Sequence, residues 1–429
     1  MFRPSIFLAL LATAGVLPAA EVSWPGFLGA GVDLAGSDPP VTWSPEENVA
    51  WTTELPGVGQ STPVAADGVA YVTQVLGETK ESVAVIAIDL ADGSEKWRYE
   101  APSSRQEKVS LYVSLSAPSP VVDGNAVYAW FETGDLVAVG HDGEALWSKN
   151  VLADLDSFAI RHGLAGSLAQ VDDKIFVLID QEGPSALMAF DKTDGATLWS
   201  TPRETTTAWS SPFVITVDGK PQIVTSGAGT IAGYDAADGR ELWKIDGVGG
   251  NNVPTPLPFA DGKFLIGANG GRSGESSAAA AETNGAYEIV ATDGGYEAKR
   301  LWNTDEATVS FNSPAPHAGY GYWINRVGAL WCLDLATGER AYRGRVDCGS
   351  CWATPVGVGD RVYLPGRTGK TTVLAAGPEF DELATNTLFE ASEDGGPFGG
   401  ETVYALVVVD DTLLFRTGAK LYLVRDDAE

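Results

Sequence analysis

Apolar and polar positions alternate along most of the chain in short runs that break at Asp-Gly or Gly-Asp pairs. "STPVAADGVAYVT" from Ser61, "PSPVVDGNAVYAW" from Pro118 and "SSPFVITVDGKPQIVT" from Ser210 share this shape. It returns in "PTPLPFADGKFLIG" from Pro254, "NSPAPHAGYGYWI" from Asn312 and "ATPVGVGDRVYLP" from Ala353, and "AGSLAQVDDKIFVLID" from Ala165 keeps it without the proline. A period of two around such turns predicts antiparallel hairpins rather than βαβ units. After each pair of strands comes a second recurring stretch. It reads "AIDLADGSEKW" from Ala87, "AFDKTDGATLW" from Ala189, "YDAADGRELW" from Tyr234 and "CLDLATGERAY" from Cys332, with a shortened "AVGHDGEALW" from Ala138.

Self-similarity of this kind decides the fold before any site is argued. Pro63, Pro120, Leu168, Pro212, Pro256, Pro314 and Pro355 mark unit openings roughly forty to sixty residues apart, the period of a four-stranded propeller blade. The C-terminal "ALVVVDDTLLFRTGAKLYLVRDD" supplies three strands and no fourth, whereas "NVAWTTELPG" from Asn48 is a lone fourth strand carrying Trp51. Together they make an eighth blade. The predicted fold is therefore all-β, an eight-bladed β-propeller of four-stranded antiparallel blades. It closes by pairing the Trp51 strand with Leu421 to Val424, which removes the edges a linear array would expose.

In the recurring stretch, Gly supplies the positive φ of the turn, and the Trp covers apolar surface between blades. The small residue before the first Asp is expected where a bulky side chain would collide with the neighbouring blade. A calcium loop fits less well, because an EF-hand needs alternating acids and a final Glu.

Composition adds limits. The 429 residues include 50 Gly, 24 Pro and 13 Trp but only two Met, which suits short strands and turns. A formal charge of −29 repels nucleic acid and anionic membrane surfaces. Residues 1–20 have Arg3, an apolar run from Ile6 to Leu17 and a small-residue end, as in a secretory signal peptide. The run is short for a bilayer span, and no other run is long enough. With no Cys near the cleavage point, no lipid anchor is expected. The expectation is a periplasmic or extracellular monomer, not membrane-spanning, with residues 21–429 as one propeller domain and 21–47 leading into the closing strand.

The tail A-x-D-x-x-[TD]-G-x-x-x-W resembles the blade motif of pyrroloquinoline-quinone-type β-propellers over about residues 45 to 425. The chain looks most like exported PQQ-binding-like β-propeller repeat proteins, many of which begin Trp-Pro-x-Phe-x-Gly, as "WPGFLG" from Trp24 to Gly29 does. That pattern often has Arg where Leu28 stands here. The resemblance implies the fold, which hosts both quinoprotein dehydrogenases and an outer-membrane assembly lipoprotein. The dehydrogenases hold PQQ at the ring centre with calcium, a catalytic Asp and a disulfide between adjacent cysteines. This chain has no adjacent pair, and "CGSCW" from Cys348 to Trp352 is the nearest feature.

Several chemistries are open for Cys348 and Cys351. Haem attachment needs His where Trp352 stands, and zinc would have to recruit from Cys332, His141, His162 and His317 in other units. Export favours a local disulfide across Gly349-Ser350. Cys332 fills the small-residue slot and is expected to be a buried, inert thiol. "GANGGRSGESSAAAAETNGAYE" from Gly267 reads as an exposed insertion in the fifth blade, not a phosphate cradle. The acid pairs Asp172-Asp173 and Asp410-Asp411 fall in hairpin turns.

Polar and aromatic residues recur just before the innermost strands: Arg161, His162, Trp209, Ser210, Asn251, Asn252, Asn312, Trp352 and Glu401. In a propeller these segments converge on one face around the axis. His162, Trp209, Asn252, Asn312 and Trp352 are expected to line one funnel suited to an uncharged, hydroxyl-rich or peptide ligand; capping of strand ends is the competing role. The function this supports is a non-catalytic binding or assembly platform for a protein segment or glycan. No catalytic residue, metal or cofactor is expected. The alternative is a PQQ- and calcium-dependent dehydrogenase.

Overall fold

The computed structural model describes residues 19–29, 34–109, 114–155, 157–160, 162–270, 274–390 and 401–426. The expected signal segment lies almost wholly outside them, as does Arg161. Among the described residues the strands form eight antiparallel blades, spanning 64–102, 121–150, 169–203, 213–246, 257–303, 315–345, 356–387 and, for the eighth, 403–424 with Val49–Glu54. The ring closes as the sequence predicts. Trp51 pairs with Leu423 and Thr53 with Leu421, so the N-terminal strand is the outermost strand of the last blade.

Alternation explains the strands. The two middle strands of each blade are covered on both sides by neighbouring blades and are buried almost end to end and mainly apolar, as in Val69–Leu76 and Ser82–Asp89. The outer strands alternate, as in Glu95–Pro102, because they meet solvent.

The recurring stretch works across two blades. The Trp51 indole Nε1 donates to the Leu90 carbonyl of the next blade at 3.0 Å. Trp97 donates likewise to His141, Trp147 to Lys192 and Trp302 to Leu335, at 2.8 to 3.0 Å. Each indole lies on the turn glycine of the following blade. At Gly239, whose φ is +74°, an added Cβ would come 2.7 Å from Trp199 Cδ2 and 2.6 Å from Thr201 Oγ1. We expect Gly239→Ala to destabilise by about 2 kcal/mol, from left-handed strain plus the displaced indole, read from chemical denaturation. The small residue has a different role from the expected one. It sits opposite the Trp of its own blade, in the pairs Ala87 with Trp97, Ala189 with Trp199 and Gly233 with Trp243. A Cβ at Gly233 would lie 2.6 Å from Trp243 Cζ2, so the collision avoided is across the strand pair.

The Ser/Thr-Pro openings build a second ring, around the axis. The Thr62 amide donates to Ser119 Oγ, Ser119 to Ser167, Ser167 to Ser211, Ser211 to Thr255, Thr255 to Ser313 and Ser313 to Thr354, all at 2.8 to 3.0 Å. Each bond ties an inner strand to the next blade. Unit three keeps Ser167 although Leu168 replaces the proline, so its link survives. In blade eight the register places Ala405 at the corresponding position, where no hydroxyl exists.

The fifth-blade insertion is not simply exposed. Gly274–Thr283 is a helix, and its end turns inward: Ala280 is buried, and the buried Asn284 side chain bridges the Ala268 backbone amide and carbonyl at 2.8 and 3.1 Å. Polar capping from Asn284 lets a Gly- and Ala-rich stretch close over the blade.

Candidate functional site: the axial channel and its aromatic mouth

A channel of about 650 Å³ runs along the axis. Its walls come from the starts of the inner strands, with apolar Phe213, Leu257, Val356 and Leu406 beside hydroxyls of Thr62, Thr255, Ser313 and Thr354.

One end is closed by the segment carrying "WPGFLG". Val22–Trp24 adds to the inner edge of blade one, so that sheet has five strands. The Pro25 carbonyl then accepts from the Val122 amide at 3.0 Å and Gln170 Nε2 at 3.2 Å, which carries Phe27 and Leu28 beneath the channel. The segment leaves between the last two blades. Asp38 pairs with Arg361 at 2.8 Å, the Tyr363 hydroxyl donates to the Pro39 carbonyl at 3.0 Å, and the Trp43 amide donates to Asn386 Oδ1 at 3.1 Å. The sequence reading made this stretch only a lead into the closing strand. It also forms the channel floor.

At the opposite end stand the segments that enter the inner strands. The Trp352 ring meets Phe311 edge-on at 5.5 Å and Tyr404 at 6.2 Å, and the Arg367 guanidinium lies 5.2 Å from the Trp352 ring centre. Phe311 is 54% exposed, while Trp352 is half-buried. Phe311, Tyr404 and Arg367 were not foreseen. Phe311 directly precedes Asn312, but nothing in one unit's sequence shows that residues of three blades meet.

His162, Trp209 and Asn252 form a separate group on the same face. The His162 and Trp209 rings are 5.9 Å apart, Trp209 Nε1 donates to the Gly163 carbonyl at 3.1 Å, and the Trp209 amide donates to the Asn252 carbonyl at 2.7 Å. The Asn252 side chain accepts from the Ala228 amide at 2.7 Å. Asn312 is buried, with Oδ1 accepting from the Ser310 amide and Nδ2 donating to the Ile324 carbonyl, so it braces backbone. Asn251 is likewise buried, between Ser226 and Thr230. Glu401 accepts from Thr417, Lys420 and Tyr422. Of the five residues expected in one funnel, Trp352 alone lines the channel.

The cysteines fall as one pair and one single. Cys348 and Cys351 are buried as a pair of thiols in contact, with sulfurs 3.5 Å apart. The hydrogen bond from Cys351 lowers the Cys348 thiol, and the same bond with burial raises Cys351. Cys332 is separate; burial between Tyr322 and Tyr342 pushes it up to about 12.

His317 is the one histidine in the described lining. Burial lowers its pKa, and its Nε2 lies 2.9 Å from the Gly359 carbonyl. With the folded value below the unfolded one of about 6.5, its stabilising contribution is complete above that pH and is lost as pH falls, because the unfolded chain takes up the proton first. Melting temperature should therefore drop more between pH 7 and pH 5 in the parent than in His317→Gln.

The quinone of the resembling dehydrogenases would need a charged donor set. PQQ carries three carboxylates and calcium binds oxygen ligands, mostly carboxylates. Among the described residues the channel lining has no Asp, Glu, Lys or Arg, and no cluster of His, Cys, Asp or Glu suited to a metal occurs. The residues present do not fit that pair of groups.

Eight motif-linked blades around a hydroxyl-ringed axis define a PQQ-like repeat β-propeller. The family model described as outer membrane protein assembly factor BamB matches residues 40–183 and 184–285, and the chain belongs to that family. The BamB of Burkholderia pseudomallei is 26% identical over 247 residues, 57% of this chain and 58% of that one, so the chain spans less than two thirds of that relative. The BamB of Shewanella oneidensis is 25% identical over 336 residues, 67% of this chain and 79% of that one. Among solved structures, BamB from Moraxella catarrhalis superposes with a TM-score of 0.57 at 14% identity, covering 87% of this chain and 98% of that one. Quinohemoprotein alcohol dehydrogenase from Comamonas testosteroni gives 0.60 at 13%, covering 95% and 81%. At these identities the structural likeness speaks for the fold alone.

Proposed function

We propose that the protein is a docking platform in the cell envelope that holds a segment of a partner protein at the aromatic mouth of the channel, with Trp352, Phe311 and Tyr404 as anchors. The observation that carries this is the cluster of three aromatic rings from three blades, one of them 54% exposed, standing over a channel closed at its far end. Aromatic rings beside an Arg are the side chains that dominate protein interfaces, and three blades fix their spacing without the entropy loss of ordering a loop. The uncharged lining suits an apolar or aromatic side chain better than an acid, which a net charge of −29 would repel. The printed name of the relatives, an outer membrane protein assembly factor, supports a protein partner over a glycan. No helix among the described residues is long and apolar enough to cross a membrane, so envelope placement rests on the N-terminal segment and on those relatives.

A displayed library of random twelve-residue peptides, selected on the protein, tests the proposal. Enrichment of sequences with a central aromatic or aliphatic anchor, lost on Trp352→Ala, is expected. Enrichment unaffected by that substitution would place binding elsewhere, and binding of oligosaccharides but no peptide would favour a glycan. The dehydrogenase alternative is tested by adding PQQ and calcium and following dye-linked alcohol oxidation, for which no activity is expected.

A further inference from the structure

The seam between blade eight and blade one is built around a cation without a counter-charge. Arg416, on Thr412–Thr417, is fully buried and extends into blade one, where Nη2 donates to the Thr73 carbonyl and to Gln74 Oε1, both at 2.8 Å. Its Nε and Nη1 have no partner, nor does Gln74 Nε2. Because Gln74 Oε1 must accept from the guanidinium, the amide cannot be turned round to remove the third orphan. The other buried cations are paired: Lys80 lies 3.0 Å from Glu132, and Arg203 lies 2.8 Å from Asp180. Among the described residues no carboxylate pairs with Arg416. Space for the head group is built in, because a Cβ at Gly59 would run into Nη2, Gln74 Oε1 and the Thr73 carbonyl.

We propose that this seam binds one small monovalent anion of the chloride class, held by an unpaired face of the Arg416 guanidinium that Gln74 fixes in place. Unpaired donors on one uncompensated, buried positive charge ask for an acceptor that is negative and compact. Desolvation lowers the Arg416 pKa to about 9, which leaves it cationic at neutral pH, so the charge remains to be met. Full burial rules out an acidic side chain of a docked partner and limits the occupant to something of atomic size. The location adds a reason for the device. Ala405, the cross-strand partner of Arg416, offers no hydroxyl to the Thr354 amide, so the ring of hydroxyl ties stops at blade seven, next to the blade that carries Arg416. An anion bound only by the closed ring would stabilise closure through linkage.

Thermal unfolding at constant ionic strength, with gluconate exchanged for chloride, reads the effect. The melting temperature is expected to rise by about 2 °C or more in the parent. Arg416→Met and Gln74→Leu should each remove the chloride-dependent increment whatever their baseline stability; Gln74→Leu serves if loss of the arginine prevents folding. Crystals grown in sodium bromide should show an anomalous peak beside the Arg416 guanidinium. An equal increment in both variants, or ordered water without an anomalous peak, would overturn the proposal.

Discussion

A protein lacking residues 1–54 is expected to lose its cooperative melt and to elute from a sizing column as aggregate. The truncation takes away Val49–Glu54, and with it the ladder from Trp51 to Leu423 and Thr53 to Leu421. It also removes two ties to the next blade, Trp51 Nε1 to the Leu90 carbonyl and Thr53 Oγ1 to Gly93. What remains is a three-stranded blade whose edge Lys420–Val424 presents open backbone groups, the arrangement that recruits foreign strands. The channel floor goes with it. Loss of the floor alone has a different signature, because removal of residues 1–36 leaves the closing strand in place and should lower the melting temperature without abolishing the transition. Re-attaching residues 44–57 behind Asp426 should restore a cooperative melt to the first truncation, since a ladder does not depend on which terminus supplies it. A truncated chain that melts like the parent would show that the eighth blade does not need its fourth strand.

Trp352→Ala is expected to weaken a selected peptide by about 30- to 100-fold, equivalent to about 2–3 kcal/mol, while moving the melting temperature little. The basis is its position. Trp352 touches Phe311, Tyr404 and Arg367 at the mouth, not the packed interface between blades where Trp51, Trp97 and Trp302 lie. Phe311→Ala should act in the same direction by a smaller amount, and the double variant should fall short of the sum because the two rings share one contact. Titration calorimetry with the peptide, beside a denaturation curve, separates the outcomes. A stability loss as large as the affinity loss would make Trp352 a packing residue.

How far these features can be read from residues differs along the chain. The Asp-Gly turns, the alternation of the outer strands and the repeated A-x-D-x-x-[TD]-G-x-x-x-W stretch each report local geometry, namely a positive φ, a pleat and a cross-strand pair, and local geometry recurring at a blade-length period defines a propeller. Ring closure was legible too, because three strands at one end and a lone Trp-bearing strand at the other are complementary. The small residue of the stretch was placed against the wrong partner, since a sequence does not say whether Gly233 faces Trp243 of its own blade or Trp199 of the one before. The same uncertainty hid the hydroxyl ring. Its members were visible as Ser/Thr-Pro steps, yet the bond from each amide to the next blade depends on how far one blade turns relative to another.

The sequence by itself determined the blade count, the strand order and the pairing that seals the ring. Only the tertiary structure decided which polar residues are consumed and which are offered. Asn312 and Asn251 sit at the expected positions, but their amides satisfy backbone groups at strand ends, because an unpaired carbonyl or amide in the interior is costly and a nearby side chain can meet it. Phe311, Trp352 and Tyr404 meet because three blades converge on the axis, and Arg416 stands without an acid because the first and last blades close around it. Such properties belong to contacts between residues tens to hundreds of positions apart, and a repeat pattern, which records each blade's own geometry, does not encode them.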